Sequence, residues 1–242
     1  MESHAVSPSD LERLRRYDTP TVCNVIELFD IRPRNAGFMD SRIKACFPEM
    51  PPIVGYASTA TFRSAGPPSK GSAYASLAQQ VALFQELPGP PIVVFQDLDD
   101  PPAGATFGEI MCTVYQSFGA VGLITSGAGR DLDQVRSIGF PVFCNGAICA
   151  HAYCHVPTLH VPVHVGGIAI YPGDLLHGDC NGVTTIPLEI ASDVASACEE
   201  YIAAEAVVLE YLQDESPTPK GLDEARAESQ HLIQALKKRL VH

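Results

Sequence analysis

GATFGEIMCTVYQSFGAVGLITSGAGRD, Gly104 to Asp131, contains one helix and the strand that follows it. Ile110, Val114 and Phe118 fall on one helical face, and Gly119 supplies the stop. AVGLIT, residues 120–125, is an apolar run of strand length. Small residues then lead from Thr125 to Arg130 and Asp131 and read as a turn that lets a substrate approach. Upstream, GPPIVVFQD (89–97) reads as a buried strand ending at Asp97. PIVGYASTATF (52–62) is a strand bounded by proline and glycine. Downstream, DLDQVRSIG (131–139) is a short helix and FPVFCNG (140–146) another strand. This alternation predicts an α/β domain. The stretches HVPVHVGGIAI, YPGDLLHGDCNGV and VTTIPL (160–188) turn to strands and tight turns, so the last third is expected to be mainly antiparallel.

Helices flank this body. DTPTVCNVIELF (18–29) places Pro20 in a first turn, where its missing N–H costs nothing. SAYASLAQQVALFQEL (72–87) has helical periodicity. IASDVASACEEYIAAEAVVLEYL (190–212) and LDEARAESQHLIQALKKRL (222–240) are the last two helices, and SPTPKG (216–221) breaks between them. The expected division is an α/β domain over 1–190 and a helical extension over 191–242. The apolar stripe of that extension must pack on the body or on a neighbouring subunit.

The chain has 242 residues and a net charge of −12, and it lacks a dense Lys/Arg run. Its field repels phosphate backbones, which argues against a nucleic-acid partner. The amino terminus carries charges where a signal peptide needs an apolar core. No apolar run approaches the ~18 residues that span a bilayer. A soluble, cytoplasmic protein is expected, with no membrane partner. Eight cysteines in so long a chain, several of them inside apolar stretches, are expected to be reduced structural thiols.

Three charges suggest chemistry. Gly104 and Gly108 permit a tight loop into the helix of Glu109, and a helix start presents unpaired N–H groups that favour an anion. Strand ends in an α/β unit lie close together, so the loop before Glu109 and the loop holding Arg130 and Asp131 can border one crevice. An arginine, two carboxylates and free amides there suit a hard divalent cation with an anionic substrate. Taken alone, Glu109 reads by default as an acid complementing a helix dipole. Arg130 and Asp131 alone read by default as a solvated pair, and it is the combination that points to a site.

An acidic residue, twenty intervening residues and then Arg-Asp, together with DTPTVCNVIELF, GFPVF and VPVHVGGIAIYPGDLLHGDCNGVTTIP, resembles the RraA-like and class II pyruvate aldolase family over residues 18–212. The resemblance implies a three-layer β/β/α swivelling-domain-like fold, here with a C-terminal helical extension. It also implies assembly as a homotrimer or hexamer, and a Mg²⁺- or Mn²⁺-dependent lyase acting on a small 2-oxo acid. The reaction would be retro-aldol cleavage of a 4-hydroxy-4-methyl-2-oxoglutarate-type diacid, oxaloacetate decarboxylation, or both, through a pyruvate enolate. Asp131 would ligate the metal and Glu109 would hold a metal-bound water. Arg130 would bind the substrate oxygen on which charge develops. The amides at Gly108, Ile110 and Met111 would line the carboxylate site. A carboxylate from the C-terminal helix of a neighbouring subunit, with Glu205 as the match and Glu199 and Glu200 as competitors, would complete the metal site. Position 109 departs from the family pattern, carrying Glu where the aldolases have Asp. A non-catalytic regulator of ribonuclease activity with the same fold is the other reading that the resemblance leaves.

Other residues attract attention. FCNGAICAHAYCHVPTLHVPVHV gathers Cys144, Cys149, His151, Cys154, His155, His160 and His164, but without a Cys-x-x-Cys pair it does not read as a zinc site. His160 and His164 are expected to share one face of a strand. Asp174 and Asp179 read as turn residues, the aspartates of DLDD (97–100) after Asp97 as a solvated loop, and Asp97 as a residue behind the site. His177 is a titratable group with no evident link to Arg130.

Overall fold

The fold comes from a computed structural model that describes residues 6–68, 77–213 and 216–241. α1 (Pro8–Leu14) and α2 (Thr19–Leu28) both begin on a side-chain cap followed by proline. Ser7 accepts from the amide of Asp10, and Asp18 from that of Thr21. Then come β1 (Lys44–Ala45), β2 (Ile53–Phe62), α3 (Leu77–Leu83), β3 (Pro91–Asp97), β4 (Ala105–Phe107) and α4 (Glu109–Ser117). The helix expected over 72–87 is realised as α3, and residues 72–76 lie outside the described residues. β5 (Gly122–Thr125), β6 (Ala128–Gly129), α5 (Leu132–Ser137) and β7 (Val142–Cys144) complete the alternating part. β8 (Val163–Val165), β9 (Ile168–Ile170), β10 (Leu175–Asp179) and β11 (Gly182–Ile186) precede the long helices α6 (Ala191–Tyr211) and α7 (Pro219–Leu240).

Seven strands form the central sheet in the order β1-β7-β5-β3-β2-β10-β11. β2, β3, β5 and β7 run parallel, whereas β10, β11 and β1 pair antiparallel at the two sides. Side-chain alternation divides the layers. Val93 and Phe95 of β3 pack with Tyr115 of α4 and Val135 of α5. Ile92 and Val94 face the other way, onto Val163, Val165 and Ile170 of the β8–β9 hairpin. α1, α2, α6 and α7 cover the β2–β10–β11 part of the helical face. The result is a helix layer, a sheet and a small hairpin layer. All ten residues of β2 are buried because both of its faces are covered, which is why its sequence alternates only in part.

His177, a possible acid or base by sequence, has a structural role instead. It is fully buried, with Nδ1 2.9 Å from Thr19 Oγ1 and Nε2 3.1 Å from the Leu14 carbonyl. Burial holds its pKa below the usual imidazole value. Asp179 does more than shape a turn, since it also accepts the amide of Thr19 and so ties α2 to β10. Among the described residues no helix is long and apolar enough to cross a membrane.

Candidate active site

Beyond the ends of β3 and β5 the chain adds a second small parallel pair, β4 with β6. This pair builds the site. The Arg130 amide donates to the Phe107 carbonyl (3.1 Å), so the residues that follow β4 and β6 emerge side by side. Gly108 and Glu109 follow one strand, Arg130 and Asp131 the other. The Glu109 amide donates to Asp131 Oδ2 (3.2 Å), and Arg130 Nε lies 3.6 Å from the same oxygen. Glu109, Arg130 and Asp131, separated by twenty residues of sequence, therefore meet at the amino end of α4.

A shallow cleft opens there, lined by Thr106, Phe107, Gly108, Ile110, Met111, Arg130, Asp131, His151 and Cys154 among others. The Arg130 side chain is about a quarter exposed and that of Asp131 about a third, while Glu109 is exposed and is not among the residues that line the cleft. No side chain caps α4, so the amides of its first turn face the cleft unclaimed, apart from the Glu109 N–H held by Asp131. The arrangement sets an uncapped helix start beside the Arg130 guanidinium and the Asp131 carboxylate.

Two backbone features keep these groups close. A Cβ on Gly108 would fall 2.6 Å from Asp131 Oδ2 and 3.2 Å from Arg130 Nε. Asp131 is left-handed (φ 54°, ψ 37°), a conformation that non-glycine residues adopt at a cost. The small residues from Thr125 to Gly129 do not form the open turn expected. Ala128 and Gly129 are strand β6, a Cβ at Gly129 would strike the Phe107 ring at 2.1 Å, and one at Gly127 would meet Thr106 Oγ1 and Asp97 Oδ2. Their smallness serves internal packing.

Asp97 sits behind Gly127 and Thr106, outside the cleft. Its Oδ2 is buried without a hydrogen-bond partner, and desolvation pushes its pKa up to about 6. The DLDD loop is not merely solvated, because Asp99 Oδ2 accepts the amides of Ser64 and Ala65.

His151 and Cys154 line the cleft, which the sequence reading did not foresee. The Ala105 amide donates to the Ala150 carbonyl, and Ile148 N–H to that of Gly129, so segment 146–151 runs beside both strands of the site. No local pattern encodes such a contact. His160 and His164 do not share a strand as expected: only 163–165 is strand, and His160 lies outside it in a left-handed conformation. Glu205 lines a different groove, between α6 and α7, with Val208, Leu209, Arg226 and Ile233. That groove shares no residue with the Arg130 cleft. Glu200 is paired with Arg239 at 2.6 Å.

Comparison with known proteins agrees with this architecture. The model of the RraA-like family (Aldolase/RraA) matches residues 19–185. A Halalkalibacterium halodurans protein named "Putative 4-hydroxy-4-methyl-2-oxoglutarate aldolase" is 34% identical over 113 residues, 46% of this chain and 53% of that protein. Protein DlpA of Legionella pneumophila is 31% identical over 99 residues, 37% of this chain but 16% of its own length. The chain thus spans about half or less of these relatives. Among solved structures, an uncharacterized protein from Pseudomonas syringae pv. tomato superposes with a TM-score of 0.73 at 23% identity, covering 94% of this chain and 97% of that one. Streptomyces coelicolor RraAS2, described as an unusual member of the RNase ES inhibitor RraA family, superposes with a TM-score of 0.65 at 22% identity, covering 83% and 96%. These two show the fold alone. The family match covers most of the chain and includes both strands of the cleft: this protein belongs to the RraA-like (Aldolase/RraA) family.

Proposed function

We propose that the chain is a divalent-metal-dependent carbon–carbon lyase that releases pyruvate from a small 2-oxo dicarboxylate. The substrate would be a 4-hydroxy-4-methyl-2-oxoglutarate-type diacid, oxaloacetate, or both. The observation that carries the reading is the meeting of Arg130, Asp131 and the uncapped start of α4 in one cleft, with the Glu109 amide bonded to Asp131. A family relative named for this aldolase reaction supports it.

The donor set suits Mg²⁺ or Mn²⁺. Among the described residues no group of three or more His, Cys, Asp or Glu is arranged to hold a metal. Mg²⁺ keeps most of its waters and needs only one or two carboxylates, which Asp131 and Glu109 would provide. The metal would act as a Lewis acid on the 2-oxo group. Glu205 of a neighbouring subunit is the proposed further carboxylate, in a homotrimer or hexamer. Ile110, 67% exposed beside the cleft, and Phe118, 59% exposed at the C-cap of α4, give this element an apolar face for a partner copy to cover.

The chain's own residues have distinct tasks. The amides of Ile110 and Met111 bind the substrate carboxylate at the positive end of the α4 dipole. Arg130, with its rigid fork of N–H donors, stabilises the oxygen on which negative charge grows as the carbon–carbon bond breaks. The Glu109 amide holds Asp131 in place through the 3.2 Å bond.

The test is to follow pyruvate from oxaloacetate and from 4-hydroxy-4-methyl-2-oxoglutarate, with Mg²⁺ or with chelator, subtracting the protein-free rate. Release at least a hundredfold above that background and lost with chelator is the expected result. No release from either acid would leave the non-catalytic regulator as the better reading. Gly108→Ala provides a geometric check. Gly108 is extended (φ −158°), which alanine adopts freely, so only the collision with Asp131 and Arg130 changes. A displacement of about 1 Å can cost on the order of a hundredfold. Turnover is expected to fall at least tenfold with the circular dichroism spectrum unchanged, and full activity would contradict the assigned geometry.

A further inference from the structure

Cys46 follows β1 directly and Cys144 ends β7, and the two side chains share one face of this antiparallel pair. Lys44 is paired with Cys144, and the Cys46 amide donates to the Val142 carbonyl. Their sulfurs are 3.3 Å apart. Cys144 Sγ also contacts the Gly146 carbonyl at 3.0 Å, and that carbonyl accepts the amide of Gly129, the residue before Arg130. Ile148 N–H closes the same ladder by donating to the Gly129 carbonyl. The thiol pair is thus joined through two hydrogen bonds to the strand that presents Arg130.

We propose that Cys46 and Cys144 form a reversible oxidation site, in which a hydroperoxide converts the two thiols into a disulfide and thereby breaks the hydrogen bond that ties Cys144 to Gly146 behind β6 and Arg130. The Cys46 sulfur, on the more exposed residue of the two, attacks as thiolate the terminal peroxide oxygen. The O–O bond breaks, an alcohol or water leaves, and Cys46 becomes a sulfenic acid. The Cys144 sulfur then attacks the Cys46 sulfur, the S–O bond breaks and water leaves. Two thiols are oxidised and one peroxide is reduced. Cys46 is partly exposed, which gives a small oxidant access, whereas Cys144 is 4% exposed. Closing the pair from 3.3 Å to the ~2.05 Å of a disulfide removes the thiol proton that Cys144 donates to the Gly146 carbonyl, so the Cys144–Gly146 hydrogen bond is lost.

The experiment uses the intact reduced protein, treated with hydrogen peroxide and then freed of it. Titration under denaturing conditions is expected to show eight thiols falling to six. Peptide mapping should join Cys46 to Cys144, and dithiothreitol should restore eight. Hydrogen exchange at residues 127–131 should change at least fivefold on oxidation and recover on reduction. Cys46→Ser, or Cys46→Ala if serine folds poorly, should abolish both responses. A bridge between other cysteines, a two-thiol loss that persists in the variant, or unaltered exchange at 127–131 would overturn the proposal. None of these readouts uses lyase activity, so they stand apart from the reading above.

Discussion

Arg130→Ala is expected to lower pyruvate release by roughly a hundred- to a thousandfold, the usual effect of removing one preorganised donor from a developing oxyanion. The fall should appear in kcat more than in KM, because the interaction strengthens as charge accumulates on the substrate oxygen. Arg130→Lys should recover little. The guanidinium is a rigid fork and lysine a flexible point charge, and the site holds the arginine from its backbone outward, through the Phe107 carbonyl, the flat contact of Phe107 on Gly129 and the flank of Gly108. The surface-pair alternative makes the opposite forecast. An Arg130 that only paired with Asp131 at 3.6 Å would be worth at most about 1 kcal/mol, and its removal would leave turnover nearly unchanged. Kinetics on oxaloacetate and on 4-hydroxy-4-methyl-2-oxoglutarate at saturating Mg²⁺ separate the two, and an active Arg130→Ala enzyme would take the arginine out of the site.

The parts of this molecule that were legible in its sequence are those written in local patterns. The helix from Glu109, the strand ending at Thr125 and the couplet at 130–131 follow from periodicity and a glycine stop. Their convergence follows from the general closeness of strand ends in α/β units. The β4–β6 pair was not legible, since three residues and two carry no periodicity. Nor were His151 and Cys154, which enter the cleft because segment 146–151 hydrogen-bonds to both strands, a contact set by tertiary packing alone. The glycines at 127 and 129 were visible but misread. Small residues before a charged couplet look the same whether they make room for a substrate or for Phe107 and Thr106. Glu205 marks a different boundary. Its place on α6, in a groove away from the cleft, leaves any part in catalysis to another copy of the chain.

Asp131→Gly should separate function from stability at the one left-handed residue of the site. A non-glycine residue in this region costs on the order of 1–2 kcal/mol, and Asp131 is kept there by its position as the first residue outside α5 and by the amides of Glu109 and Val135, which bond to its side chain and its carbonyl. Glycine removes the strain and keeps the carbonyl bond. It loses the 3.2 Å bond from Glu109 and gains unfolded-chain entropy worth about 0.4–1 kcal/mol, so the terms nearly cancel. Asp131→Ala loses the same side-chain bond but keeps most of the strain. The glycine variant should therefore be more stable than the alanine variant by about 1 kcal/mol, about 2–4 °C in melting temperature for a chain of this size. That order reverses the one expected for alanine and glycine inside helices. Both variants should lose pyruvate release, because neither retains the carboxylate that would hold the cation. Melting curves and turnover measured on the same samples decide the matter. A glycine variant that melts below the alanine one would show that Asp131 is not strained, and one that keeps wild-type turnover would show that its carboxylate is not needed.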